Sequence, residues 1–175
     1  MDIEFFWNLV EETYKSSKGN LPKQVELLTE LLSQRSVDDI GGFRSIMDDL
    51  LDNAYEAGLW DACVIINCGC STDSFSDFRA WLIAHGKNIY EQVLAEPETL
   101  VDLVKMDEWA DDEFFLYVAE YAYERKTGQE LPAQFYRKQH PEVRGTFWPG
   151  ETRKNRFPKL WAKFGEDTNR WSLLP

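Results

Sequence analysis

LWDACVIINCGCSTDSFSDFRAWLI, residues 59–83, is the stretch whose reading decides the fold. Two runs rich in aromatic and aliphatic side chains flank a polar connector, Asn67-Cys68-Gly69-Cys70-Ser71-Thr72-Asp73-Ser74. The first run reads as a short apolar helix over 60–67. Ser74, with Asp77 three residues on, reads as the start of a second helix that runs to His85, and Gly86 fits its C-terminal cap. Neither run alternates apolar and polar residues as a half-buried strand would.

The pattern continues in both directions. Asp2 can cap a first helix that places Phe6, Leu9 and Val10 on one face, and Gly19-Asn20 stops it. Asn20 caps a second helix to about Arg35, with Val25, Leu28, Leu31 and Leu32 at helical spacing. Ser36 and Asp39 start a third, carrying Ile40, Phe43, Met47, Leu50, Leu51 and Ala54, which Gly58 ends. Gly41-Gly42 weakens its first turns, so a close approach is expected there. Helices over 88–95 and 97–104 are separated at Pro97, and a last long one spans 111–126 and closes at Gly128. Residues 129–151 hold Pro132, Pro141 and Pro149 and little periodicity, whereas 157–164 (FPKLWAKF) reads as a short amphipathic helix. The expected fold is all-α. It is a single compact multi-helix domain, with a helical body over 1–128 and an irregular arm over 129–175 that ends in a short docked helix.

The composition supports a real core: 7 Trp, 7 Tyr and 11 Phe in 175 residues. No apolar run reaches the roughly 18 residues of a membrane helix. The acidic start MDIEFFWNLVEE lacks the basic region of a signal peptide, and a cytoplasmic location is expected. The net charge of −12 is unevenly spread. Residues 1–128 carry 26 acidic and 10 basic side chains, and residues 129–175 carry 5 and 9. An acidic body argues against nucleic acid as a partner, because phosphate attraction dominates such binding. The basic arm is expected to lie against the chain's own acidic face.

The central block resembles the bacterial domain-of-unknown-function 4240 family. The residues that carry the likeness are Leu59-Trp60, Ile66-Asn67, Gly69-Cys70-Ser71, Asp73, Phe75, Phe78-Arg79, Trp81-Leu82 and Gly86. Phe6-Trp7 and the 47–55 helix are similar upstream, as are 117–128 and Phe157-Pro158-Lys159-Leu160-Trp161 downstream, so the likeness covers most of 1–164. Where the family pattern has a second acidic residue and a Gly, this chain has Thr72 and Ser74. That counts against any role needing paired carboxylates there. The resemblance implies a small helical bacterial protein and no particular activity.

Two candidate sites follow. Asn67, Ser71, Asp73 and Arg79 can form a polar pocket where two helices meet, with Trp60 and Trp81 as aromatic walls. Arg79 can hold a carboxylate or phosphate as a fork, or fold back to an acidic neighbour, while Asp73 can simply cap its helix. Asp107, Glu108, Asp111 and Asp112 belong to the densest acidic run, a docking patch for a basic partner or a solvated helix start. The odd, clustered Cys63, Cys68 and Cys70 are not a disulfide framework, and Cys63 sits in an apolar stretch as a small hydrophobe. Cys68-x-Cys70 with Cys63 and His85 has poor zinc spacing. Neither His85 nor His140 is paired in sequence with Cys70 as a base. No catalytic residue, metal or cofactor is assigned. The expected function is a non-enzymatic interaction or regulatory module with a protein partner, as a monomer or weak homodimer. The alternative is an enzyme or small-molecule binder at the Asn67–Asp73/Arg79 junction.

Overall fold

The computed structural model describes residues 1–137 and 141–165. Those residues form eleven α-helical segments and no strand. Three of the expected N-caps stand where local chemistry puts them. Asp2 accepts the Phe5 amide at 2.8 Å and opens α1 (Ile3–Ser17). Asn20 accepts that of Lys23 at 2.9 Å and opens α2 (Leu21–Ser33). Ser36 accepts that of Asp39 at 3.1 Å and opens α3 (Val37–Asn53). Each cap satisfies one of the four amides that a helix start leaves without an intrahelical acceptor. Gly41 is bare because the ring of Phe135, from the arm, occupies the place a Cβ would take.

The central pair differs in detail from the sequence reading. The first helix of the pair, α4 (Ala57–Ile66), starts before Gly58, which lies inside its first turn. Its start carries no side-chain cap; instead the Ala57 amide donates to the Arg144 carbonyl at 2.8 Å. The second, α5 (Thr72–Ala84), begins at Ser71 rather than Ser74. Ser71 and Ser74 cap each other's amides at 3.1 Å each, a reciprocal box that Ser74 fills as the third helical residue. Gly86, at φ 92°, lies between α5 and α6 (Lys87–Ala95). A 3-10 turn at Pro97–Thr99 leads into α7 (Leu100–Leu103).

The expected helix over 111–126 is two helices, α8 (Glu113–Leu116) and α9 (Val118–Thr127). The break at Tyr117 has a neighbour to explain it. The Arg44 guanidinium reaches from α3 and donates to the Leu116 carbonyl at 3.0 Å. The arm is less irregular than expected, with α10 (Gly150–Arg156), α11 (Pro158–Leu160) and a π-turn at Trp161–Gly165.

One core joins these pieces. Phe6, Phe43, Phe75, Phe78, Phe115 and Phe164 are all fully buried in it. Helix α1 packs on α2, α2 on α9 and α5 on α8, while α11 and the π-turn close over α4. Leu131, Phe157, Leu160 and Phe164 of the arm are buried in the same cluster. Among the described residues, no helix is long and apolar enough to cross a membrane.

The arm's arginines do meet the acidic body. Arg137 pairs with Asp49 and, at 2.5 Å, with Asp52. Arg144 pairs with Glu56 at 3.2 Å and donates to the carbonyls of Asp52 and Asn53. Arg153 pairs at 2.6 Å with Asp61, whose side chain is fully buried. The second Asp61 oxygen accepts the Trp148 amide at 3.0 Å. A buried carboxylate needs such company, since removing it from water is costly.

Candidate functional site

The expected junction does not assemble. Asn67 is buried and spends its amide on the loop before α8. Its Nδ2 donates to the Ala110 carbonyl at 3.1 Å and its Oδ1 accepts the Ala110 amide at 3.2 Å. Ser71 is part of the cap of α5. Arg79 is only 7% exposed. Its guanidinium donates to the carbonyls of Phe75 and Leu51, at 3.1 and 2.7 Å, and to Ser76 Oγ at 3.0 Å. It also lies over the rings of Tyr55 and Phe75, at 4.6 and 4.9 Å. Arg79 therefore ties the C-terminal end of α3 to α5, a pull that its positive charge favours. Trp60 stacks on Phe75 and donates its indole N–H to the Cys70 carbonyl at 3.0 Å. Trp81 is buried against His85, 4.3 Å between ring centroids. Burial lowers the pKa of His85, whose Nδ1 sits 2.8 Å from the Trp81 carbonyl. His140 lies outside the described residues.

The proposed acidic patch also divides. Asp107, Glu108 and Asp111 are exposed, and Glu108 pairs with Lys105 at 2.7 Å. Asp112 is buried. It caps α8 by accepting the Phe115 amide at 3.1 Å, and its own amide donates to the Asp77 carbonyl at 3.2 Å. Asp112 is thus a structural member of the loop and not part of a surface patch.

The structure instead opens a cleft of about 460 Å³ between α3, α5 and α8. Its walls bring together Asp48 and Asp52 of α3, Asp73 and Asp77 of α5, and Glu113 of α8. Arg44, Arg79, Ser76, Leu51, Leu116 and Tyr117 complete it. Of the residues expected at the junction, only Asp73 and Arg79 line this cleft. Trp60 and Trp81 do not.

The two walls differ in charge balance. On the α3 side, Asp48 takes the Arg44 guanidinium at 2.7 Å and the Arg137 amide at 3.2 Å, and Asp52 takes Arg137. Arg44 also pairs with Glu120 at 3.0 Å. On the α5–α8 side, Asp73, Asp77 and Glu113 make no ion pair among the described residues. Asp77 feels this most. Burial first, and then the charges of Glu113, Asp111, Asp73 and Asp112, push its pKa up to about 6. Tyr117, which lines the cleft, is 42% exposed. Among the described residues no three Cys, His, Asp or Glu side chains are grouped to hold a metal ion. The cleft therefore presents a spread negative field.

The sequence reading missed Asp48, Asp52, Arg44, Glu113 and Tyr117. A signal was available in the spacing: Asp48 and Asp52, like Asp73 and Asp77, are like charges four residues apart on one helix face. Such pairs disfavour an isolated helix and need a reason.

No curated protein and no solved structure matches the chain. A family model described as "Protein of unknown function (DUF4240)" matches residues 1–125, which takes in every wall of the cleft and stops before the arm. With most of its length matched, this chain belongs to the DUF4240 family.

Proposed function

We propose that the protein is a non-enzymatic interaction module that takes a basic segment of a partner protein into the cleft between α3, α5 and α8. The observation that carries this reading is the unneutralised wall of Asp73, Asp77 and Glu113. The chain pairs Arg44 and Arg137 with the facing wall and leaves these carboxylates to repel one another. An arginine or lysine side chain entering the cleft relieves that repulsion, and Tyr117 offers a ring face to its alkyl stem or guanidinium. At about 460 Å³ the cleft has room for the side chains of such a segment. A small-molecule site at Asn67 and Arg79 is the weaker reading, since both side chains already serve the backbone.

The test is a titration of the full chain with a short arginine- and lysine-rich peptide at physiological salt. Asp77→Asn/Glu113→Gln is compared with Glu26→Gln/Glu30→Gln, an equal charge change on the exposed face of α2. The cleft variant is expected to bind about tenfold more weakly, with the α2 variant unchanged. Equal weakening by both would reduce the binding to net charge and end the reading.

A further inference from the structure

We infer that Cys63 and Cys70 form a reversible disulfide when the protein meets a peroxide, making the α4–α5 connector an oxidation site. The two sulfurs stand 2.6 Å apart. A disulfide bond is about 2.05 Å long, so they need close by only about half an ångström. The connector is bent to bring this about. Cys68 adopts φ 52° and Gly69 φ 140°, and the Gly69 amide donates back to the Val64 carbonyl at 3.0 Å. The Trp60 indole then holds the Cys70 carbonyl. A non-glycine residue at positive φ is uncommon, and here it turns the chain so that the seventh residue after Cys63 returns to it.

The environments of the two thiols assign their order of reaction. Cys70 is half-buried at the surface, whereas Cys63 is fully buried and its thiol is pushed well up by burial and by Cys70 beside it. Cys70 is therefore the sulfur that a peroxide reaches. Its thiolate attacks one peroxide oxygen, the O–O bond breaks, and Cys70 becomes a sulfenic acid as the other oxygen leaves and takes up a proton as water. The Cys63 sulfur next attacks the Cys70 sulfur. The S–S bond forms, the S–O bond breaks, and the hydroxyl departs with the Cys63 proton as a second water. Two thiols lose two electrons and two hydrogens, and the peroxide is reduced to two waters. A small dithiol reverses the bond by exchange.

The full chain is treated with hydrogen peroxide, denatured in acid, alkylated and weighed intact, with and without dithiothreitol. Cys68→Ser retains only the two thiols in question. It is expected to lose the mass of two hydrogens and both alkylatable thiols, and dithiothreitol restores them. Cys70→Ser and Cys63→Ala are expected to show no such loss. The inference is overturned if Cys68→Ser keeps both thiols, if it advances only to the sulfinic acid, or if the loss appears solely in covalent dimers.

Discussion

Two acidic regions of one molecule are treated in opposite ways. Over α4 and the end of α3, the chain meets its own carboxylates with its own arginines: Arg153 with Asp61, Arg144 with Glu56, Arg137 with Asp49 and Asp52. Across the cleft, Asp73, Asp77 and Glu113 are left with one another. The first arrangement fastens a basic arm to an acidic body. The second does nothing for stability and costs some of it. The arginines of the arm hold the structure together and leave that wall without an ion pair among the described residues.

The fastened side gives the largest expected effect. Asp61 is wholly buried, and Arg153 is its only cationic partner among the described ion pairs. Arg153→Ala leaves that carboxylate buried with a single backbone donor, and a loss of about 3–5 kcal/mol is expected in urea unfolding. Asp61→Asn is expected to cost less, because Arg153 is partly exposed and can turn to water. If the two variants lose equally little, the Arg153–Asp61 pair does not fasten the arm, which is then held by buried residues such as Phe157, Leu160 and Phe164, and the contrast between the regions fails.

Asn67→Ala sharpens the contrast from the other side. It removes both bonds to Ala110 and leaves a buried amide and carbonyl unpaired, a cost of about 1–3 kcal/mol by thermal or denaturant unfolding. The same loop ends in Asp112 and delivers Glu113 to the cleft. Loosening it is expected to let the acids separate and bring the Asp77 pKa down toward the ordinary carboxylate range, read by NMR titration. An unchanged Asp77 would show that α5 alone crowds it.

How much of this was legible in the sequence follows from the range of each interaction. Asp2, Asn20 and Ser36 cap through amides three residues away, so their helices could be read from adjacent residues. The start of α5 was misplaced because Ser71 and Ser74 both suit a cap, and only the reciprocal bonds decide between them. Helix α10, GETRKNR, has no apolar stripe to betray it; its order comes from Arg153 meeting a carboxylate 92 residues earlier. Arg79 reads as either a ligand fork or a partner for an acidic neighbour, because its backbone acceptor on Leu51 lies 28 residues back. The cleft was out of reach for the same reason. Its walls come from three helices, and each wall alone looks like an ordinary solvated acidic face. The surplus acidity of residues 1–128 was plain in composition, but which acids would be left unpaired depended on where the arm's arginines docked.

The smallest effect bears most directly on the open wall. Asp77 has a folded-state pKa of about 6, against 3.8 for an ordinary aspartate. Between these values the folded protein binds more protons than the unfolded chain, so stability falls as pH rises through this window. Above pH 6 the whole penalty is present, and below about pH 4 it is gone from this group. Asp77→Asn is expected to stabilise the protein at pH 7 by about 1 kcal/mol, the figure being reduced for the solvent that screens a partly exposed carboxylate. The gain is expected to shrink as pH is lowered to 4, so the variant's melting temperature changes less with pH than the wild type's. This is the opposite of what a paired aspartate does: neutralising a carboxylate held by an arginine costs stability at pH 7 and costs less in acid. A measured loss at pH 7 would mean that Asp77 already has a cation. A gain at pH 7, joined to weaker binding of a basic peptide, is what a wall kept acidic for a partner requires.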